Sequence, residues 1–124
     1  MNPRQEYSFE KLRVWQATRK LAKTIYLATS KFPHEERYGL TSQCNRAAIS
    51  VTANLAEGCS RQSRKDQAHF TEIAYGSLME LACLLILCKD IGILSEDAEN
   101  DLRITIEEVS PQVNALHRSQ RARI

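Results

Sequence analysis

The side chains with the most chemistry in this 124-residue chain are its three histidines, its four cysteines and its scattered carboxylates. Asp66, His69 and Glu72 recur at three-residue spacing, which places them along one helix face. A di-iron bundle needs two Glu-x-x-His pairs and two further inward carboxylates. Here the half-motif occurs once, and neither His34 nor His117 has an acid three residues before it. The expectation is no metal and no cofactor. Cys44, Cys59, Cys83 and Cys88 form no C-x-x-C pair and no zinc-type spacing, so they read as reduced core or near-core residues. Cys59 precedes Ser60, Arg61, Arg64 and Lys65, a setting that favours a thiolate. It still reads as an inert loop cysteine. The sequence contains no G-x-S-x-G elbow, no G-x-x-x-x-G-K-[ST] loop and no G-x-G-x-x-G turn. The chain is therefore read as not an enzyme.

Two other groups of polar residues stand out. Arg46, Asn54, Glu57 and Glu80 fall beside apolar stripes, where a buried charge must find a partner. They are expected to form a structural network between helices, which would fix their register. The second group is basic. Arg13, Arg19, Lys20 and Lys23 lie in one segment, and Arg61, Arg64 and Lys65 in another. Together they would attract phosphates. Charge is unevenly placed: residues 1–69 carry 12 Lys/Arg against 6 Asp/Glu, and residues 70–124 carry 5 against 9. Arg118, Arg121 and Arg123 add a basic tail over residues 118–124.

The elements that must position these groups are helical. Val14, Thr18, Leu21, Ile25, Ala28 and Phe32 repeat at 4-3-4-3-4 spacing, which predicts a helix over about 9–30, with Ser8 as its cap. The second helix is expected over 41–57, with Cys44, Ala48, Val51 and Leu55 inward and Gly58 as its stop. The third, over 66–91, carries Phe70, Ala74, Ser77, Leu81, Leu84, Cys88 and Ile91. Beside them Ile73, Leu78, Ala82 and Leu85 form a second apolar stripe. One bundle core needs one stripe, so a helix apolar on two sides must be central or must bury a face against another chain, and this is read as the sign of an oligomer. The fourth helix, over 96–117, starts behind Ser95 with Glu96, Asp97 and Glu99 in its first turn. Pro111 interrupts its stripe and predicts a kink or break over 107–111, and the tail after Leu116 is expected to fray.

Four helices with short connectors make an all-α, antiparallel up-and-down four-helix bundle, a single domain over 1–124. The length supports a core without staples. Residues 1–11 do not resemble a signal peptide, and the apolar run 78–88 is broken by Glu80 and too short to span a bilayer. The expected setting is the cytoplasm, away from membranes.

Several blocks carry a family resemblance. Phe9-Glu10-Lys11-Leu12 and Val14-Trp15-Gln16 open it. Phe32-Pro33, Glu36 and residues 38–43 (YGLTSQ) follow. Arg46-Ala47-Ala48, residues 54–58 (NLAEG) and Gly76-Ser77-Leu78 with Glu80-Leu81 complete it. In this order, over about residues 9–94, they resemble the bacterial four-helix-bundle proteins encoded within intervening sequences of 23S ribosomal RNA genes. The resemblance implies a left-turning bundle and a homopentamer around a central channel. It extends to the accessory protein of diversity-generating retroelements, a basic pentameric barrel that works with a reverse transcriptase and binds nucleic acid. No catalytic residue comes with it. Asn45 departs from the pattern, standing where a second basic residue would precede Arg46. The leading expectation is a homo-oligomeric scaffold that binds RNA, DNA or a nucleic-acid enzyme such as a reverse transcriptase. The alternative is a structural or protein–protein interaction module with no nucleic-acid binding.

Overall fold

The apolar spacing becomes four helices in the computed structural model, which describes residues 4–122: α1 (Arg13–Thr29), α2 (Leu40–Cys59), α3 (Arg64–Ile91) and α4 (Glu96–Arg121). No strand occurs among the described residues. The chain is all-helical and forms an up-and-down bundle. α1 packs against α2 and α4, and α3 packs between α2 and α4, with no contact across the α1–α3 diagonal. The α1–α4 seam is the sparsest of the four. The core is aliphatic: Leu21, Ile25, Val51, Leu55, Leu78, Leu81, Leu85 and Val113 are all fully buried.

The first helix starts later than expected. Ser8–Lys11 is a 3-10 turn, and Leu12 is extended between it and α1. Glu10 holds the turn, accepting a hydrogen bond from the Tyr7 amide at 2.9 Å, and its carbonyl accepts from Gln16 Nε2 at 2.7 Å. Phe9 stacks on Tyr7 and meets Trp15 edge-on, so aromatic packing anchors the segment where α-helical bonds do not.

Two glycines are explained by close approach. A side chain at Gly39 would sit 2.9 Å from Glu36 Oε1. That same oxygen accepts from the Leu40 amide at 3.2 Å and caps the start of α2. Gly58 does not stop α2, which runs on to Cys59. A Cβ there would stand 3.2 Å from Phe70 Cβ, so glycine lets the start of α3 pack against the end of α2.

α3 begins two residues before the expected start because Ser63 caps it, its Oγ accepting from the Asp66 amide at 3.0 Å. It ends at Gly92, whose φ of 93° is the left-handed conformation that glycine adopts without strain. By length and composition α3 as a whole, though not its apolar run 78–88 alone, could cross a membrane. Much of that apolarity belongs to the bundle: Leu78, Leu81, Leu84, Leu85 and Cys88 are buried in the core.

α4 neither breaks at Pro111 nor frays after Leu116; it continues to Arg121. Pro111 and Glu107 both face solvent, so water can satisfy the Glu107 carbonyl that proline leaves without a donor. Ser110 Oγ donates to the Ile106 carbonyl at 2.8 Å beside it. Leu102, Ile106, Val109 and Val113 hold the helix to the core across the proline.

Candidate nucleic-acid interface

α1 divides cleanly into two faces. Val14, Thr18, Leu21, Ile25 and Thr29 are buried. Arg13, Arg19, Lys20 and Lys23 are all exposed, and the helix contains no acidic residue. None of these four cations has a carboxylate within ion-pair distance among the described residues. Arg19 lies over the Trp15 ring at 5.6 Å, a contact that orients its side chain without neutralising it. Four unpaired positive charges therefore line one helix.

The loop cations are less free. Arg61 is 2.7 Å from Glu57 Oε1 and lies over the Phe70 ring at 4.7 Å. Arg64 is half-buried, and Lys65 is exposed at the start of α3. Because α2 runs antiparallel to α1, the loop sits at the end of the bundle where α1 begins. Arg13 shares that end. Lys20 and Lys23 lie roughly 10–15 Å further along the helix.

The expected network of Arg46, Asn54, Glu57 and Glu80 does not form within the chain. Arg46 and Glu80 are exposed with no ion-pair partner among the described residues, and Glu57 pairs with Arg61 of the loop that follows its helix. Asn54 Nδ2 instead donates to the Ser50 carbonyl at 2.8 Å and to Ser50 Oγ at 3.0 Å. The helices are tied by neutral groups. Thr29 Oγ1 donates to Asn45 Oδ1 at 2.9 Å between α1 and α2. The Ser50 and Ser77 hydroxyls meet at 2.7 Å between α2 and α3, and Thr71 Oγ1 donates to Gln120 Oε1 at 2.7 Å between α3 and α4. Hydroxyls and amides cost far less to bury than charges, so they can sit where the charged set cannot. Spacing does not reveal these pairs, because each links residues 16 to 49 positions apart.

The cysteines divide by depth. Cys44 and Cys88 are buried with their sulfurs 3.9 Å apart, Cys59 is half-buried and Cys83 is exposed. Cys59 lies in the last turn of α2, where burial pushes its thiol pKa up, away from an activated thiolate. No group of three or more His, Cys, Asp or Glu among the described residues is placed to hold a metal ion. His117 Nε2 does come within 3.9 Å of Glu72 Oε2.

The outward face of α3 is unusually apolar. Ile73, Met79, Ile86, Leu87 and Ile91 are exposed, whereas Leu78 and Leu85 of the expected second stripe lie in the core. Gly76 is on the outward face too, with nothing near the place its Cβ would occupy.

A profile of the 23S rRNA-intervening sequence protein family matches residues 10–115. The chain belongs to this family. The match covers every block that carries the sequence resemblance except Phe9, and it includes α1 to α3 and most of α4. A solved structure of a protein of unknown function from the S23 ribosomal protein family of Bacteroides thetaiotaomicron is similar to it. The two share 19% identity with a TM-score of 0.75, over 84% of this chain and 97% of the other. At that identity the likeness supports the shared fold. No curated protein matches the chain. Among the described residues, the cation face of α1 and the apolar face of α3 are two surfaces without partners inside the bundle.

Proposed function

We propose that this member of the family is a non-enzymatic, homo-oligomeric scaffold that holds nucleic acid against the outer face of α1. The observation that carries the reading is the acid-free helix, whose Arg13, Arg19, Lys20 and Lys23 are exposed and unpaired among the described residues. Phosphodiester backbones gain affinity for such a face by releasing condensed counterions. The outward apolar residues of α3 support self-association, and the family resemblance suggests five copies. Rotational symmetry would repeat the α1 face around the assembly and turn a short ridge into a belt. The proposed setting is the cytoplasm, where ribosomal RNA and its precursors are found.

The test is a salt titration of RNA binding from 50 to 200 mM, read by fluorescence anisotropy. Each lost phosphate contact lowers the slope of log affinity against log salt by about 0.7 for single strands. Lys20→Ala with Lys23→Ala should therefore flatten the slope by about 1.4. Arg64→Ala with Lys65→Ala should flatten it further, whereas Arg61→Ala should matter least, since Arg61 is held by Glu57. Binding that ignores salt and survives all these changes would refute the proposal. The second reading, a protein-interaction module, draws on the same exposed α3 residues and predicts an oligomer with no affinity for nucleic acid.

A further inference from the structure

The first turns of α3 and the last turns of α4 enclose a notch of about 220 Å³, lined by Lys65, Ala68, His69, Glu72, His117 and Arg121. We propose that this notch is a second phosphate-binding site for the backbone of the same nucleic acid, at the end of the bundle rather than along its side. The inference rests on the nucleic-acid reading given above but uses different residues, apart from Lys65.

The geometry is that of two facing pairs. Lys65 and His69 are four residues apart on α3, and His117 and Arg121 are four apart on α4, so each pair shares a helix face. The helices run antiparallel, and the pairs meet across the notch. The walls are held in place: Thr71 bonds Gln120 at 2.7 Å, and both are buried. Four groups able to donate to a phosphate oxygen thus converge from two rigid elements. Neither Lys65 nor Arg121 has a carboxylate within ion-pair distance among the described residues.

The lining also says which part of a nucleic acid fits. Ala68 is its one apolar residue, and no Phe, Tyr or Trp lines it. A base would find no stacking platform there, whereas a phosphate would find donors on both sides. Glu72 is the one anion that lines the notch, 3.9 Å from His117 Nε2 and largely exposed. It can turn away from an incoming phosphate or orient the imidazole towards it.

The notch is separable from the α1 face by its residues. His69, His117 and Arg121 belong to the notch alone, whereas Arg13, Arg19, Lys20 and Lys23 belong to the α1 face alone.

Anisotropy titrations of a single-stranded RNA oligonucleotide from 50 to 200 mM salt separate the two sites. Lys65→Ala with Arg121→Ala should weaken binding and flatten the slope of log affinity against log salt by about 1.4. His69→Ala with His117→Ala should weaken binding about tenfold, the worth of one hydrogen bond to a charged group. Lys20→Ala with Lys23→Ala should flatten the slope by about 1.4 more when combined with the first pair, because the two sites use different residues. Circular dichroism of each variant checks that the bundle is intact. Notch variants that bind as the wild type does overturn the notch and leave the α1 proposal standing. Loss of binding only in the notch variants, with the α1 variant unaffected, keeps the notch and removes the α1 face. No binding by the wild type removes both.

Discussion

Cys44 and Cys88 join α2 to α3 in the core, their sulfurs 3.9 Å apart and neither exposed to solvent. Burial, and then the neighbouring Cys88, push the Cys44 thiol from an ordinary value of 9.0 up to about 12. Burial also raises Cys88, with the negative charge of Glu36 adding to the effect and the Cys44 contact opposing it. Between pH 9 and pH 12 the unfolded chain releases a Cys44 proton that the folded chain keeps, so stability falls as pH rises. Each pH unit in that window removes about 1.4 kcal/mol, giving a loss of about 1.4 kcal/mol by pH 10 and about 2.7 kcal/mol by pH 11. Lysines and tyrosines titrate in the same range, so the absolute curve does not isolate the effect. The comparison with Cys44→Ala does. Urea unfolding of both proteins under reducing conditions, from pH 7 to pH 10.5, gives their stability difference at each pH. At pH 7 that difference is the packing loss from removing the sulfur. By pH 10 it should have shrunk by about 1.4 kcal/mol, because only the wild type carries the Cys44 part of the alkaline penalty. Parallel curves would show that the Cys44 proton is not held more tightly in the folded chain, and would refute the argument.

Other expectations follow from single positions. Thiol labelling of the native protein should modify Cys83 first and Cys59 slowly, and should reach Cys44 and Cys88 only on unfolding; fast labelling of Cys44 would contradict its burial. Pro111→Ala restores an amide to the Glu107 carbonyl inside an otherwise continuous helix, so it should raise stability by about 1–3 kcal/mol in urea unfolding. Gly76 is exposed within α3 with open space around it, so Gly76→Ala should stabilise an isolated bundle by about 1 kcal/mol. If copies pack through this face, Gly76→Leu should dissociate the assembly in sedimentation without loss of helicity; an unchanged oligomer would move the interface elsewhere.

Helix existence and the core face were legible because both follow from local periodicity. Val14, Leu21 and Ile25 on α1, and Leu102, Ile106, Val109 and Val113 on α4, are buried as their spacing predicts. Ser95 acts as the cap that its residue type suggests. The errors lie where a distant partner decides. Gly58 reads as a helix stop, yet the approach of Phe70 explains it. Pro111 reads as a break, yet Leu102, Ile106 and Val109 before it and Val113 after it stay buried in the core and keep α4 in one piece. The second stripe of α3 fits either a central helix or a face for another chain; the fold splits it, with Leu78 and Leu85 inward and Ile73 exposed beside Met79, Ile86 and Leu87. A helix packed between two neighbours buries more than one side, and periodicity cannot say which sides those are.

The candidate site divides the same way. The α1 cation face was readable in full, since a helix of known phase with four basic residues and no acids must present them together. The charged network of Arg46, Asn54, Glu57 and Glu80 was not, because adjacency to apolar positions in sequence does not put charges inside. The fold places three of those residues in solvent and gives the seams to Thr29, Ser50, Thr71 and their partners. The notch was invisible for a related reason: His69 and His117 are 48 positions apart, and only the antiparallel return of α4 brings them to one cavity. Composition and periodicity alone determined an all-α bundle with one positive helix, since both properties belong to a single segment and its own geometry. Tertiary structure decided which polar groups meet, which glycines are needed and where the second cluster of cations lies. Those depend on the register between helices, which is set by packing across the core and not by spacing along the chain.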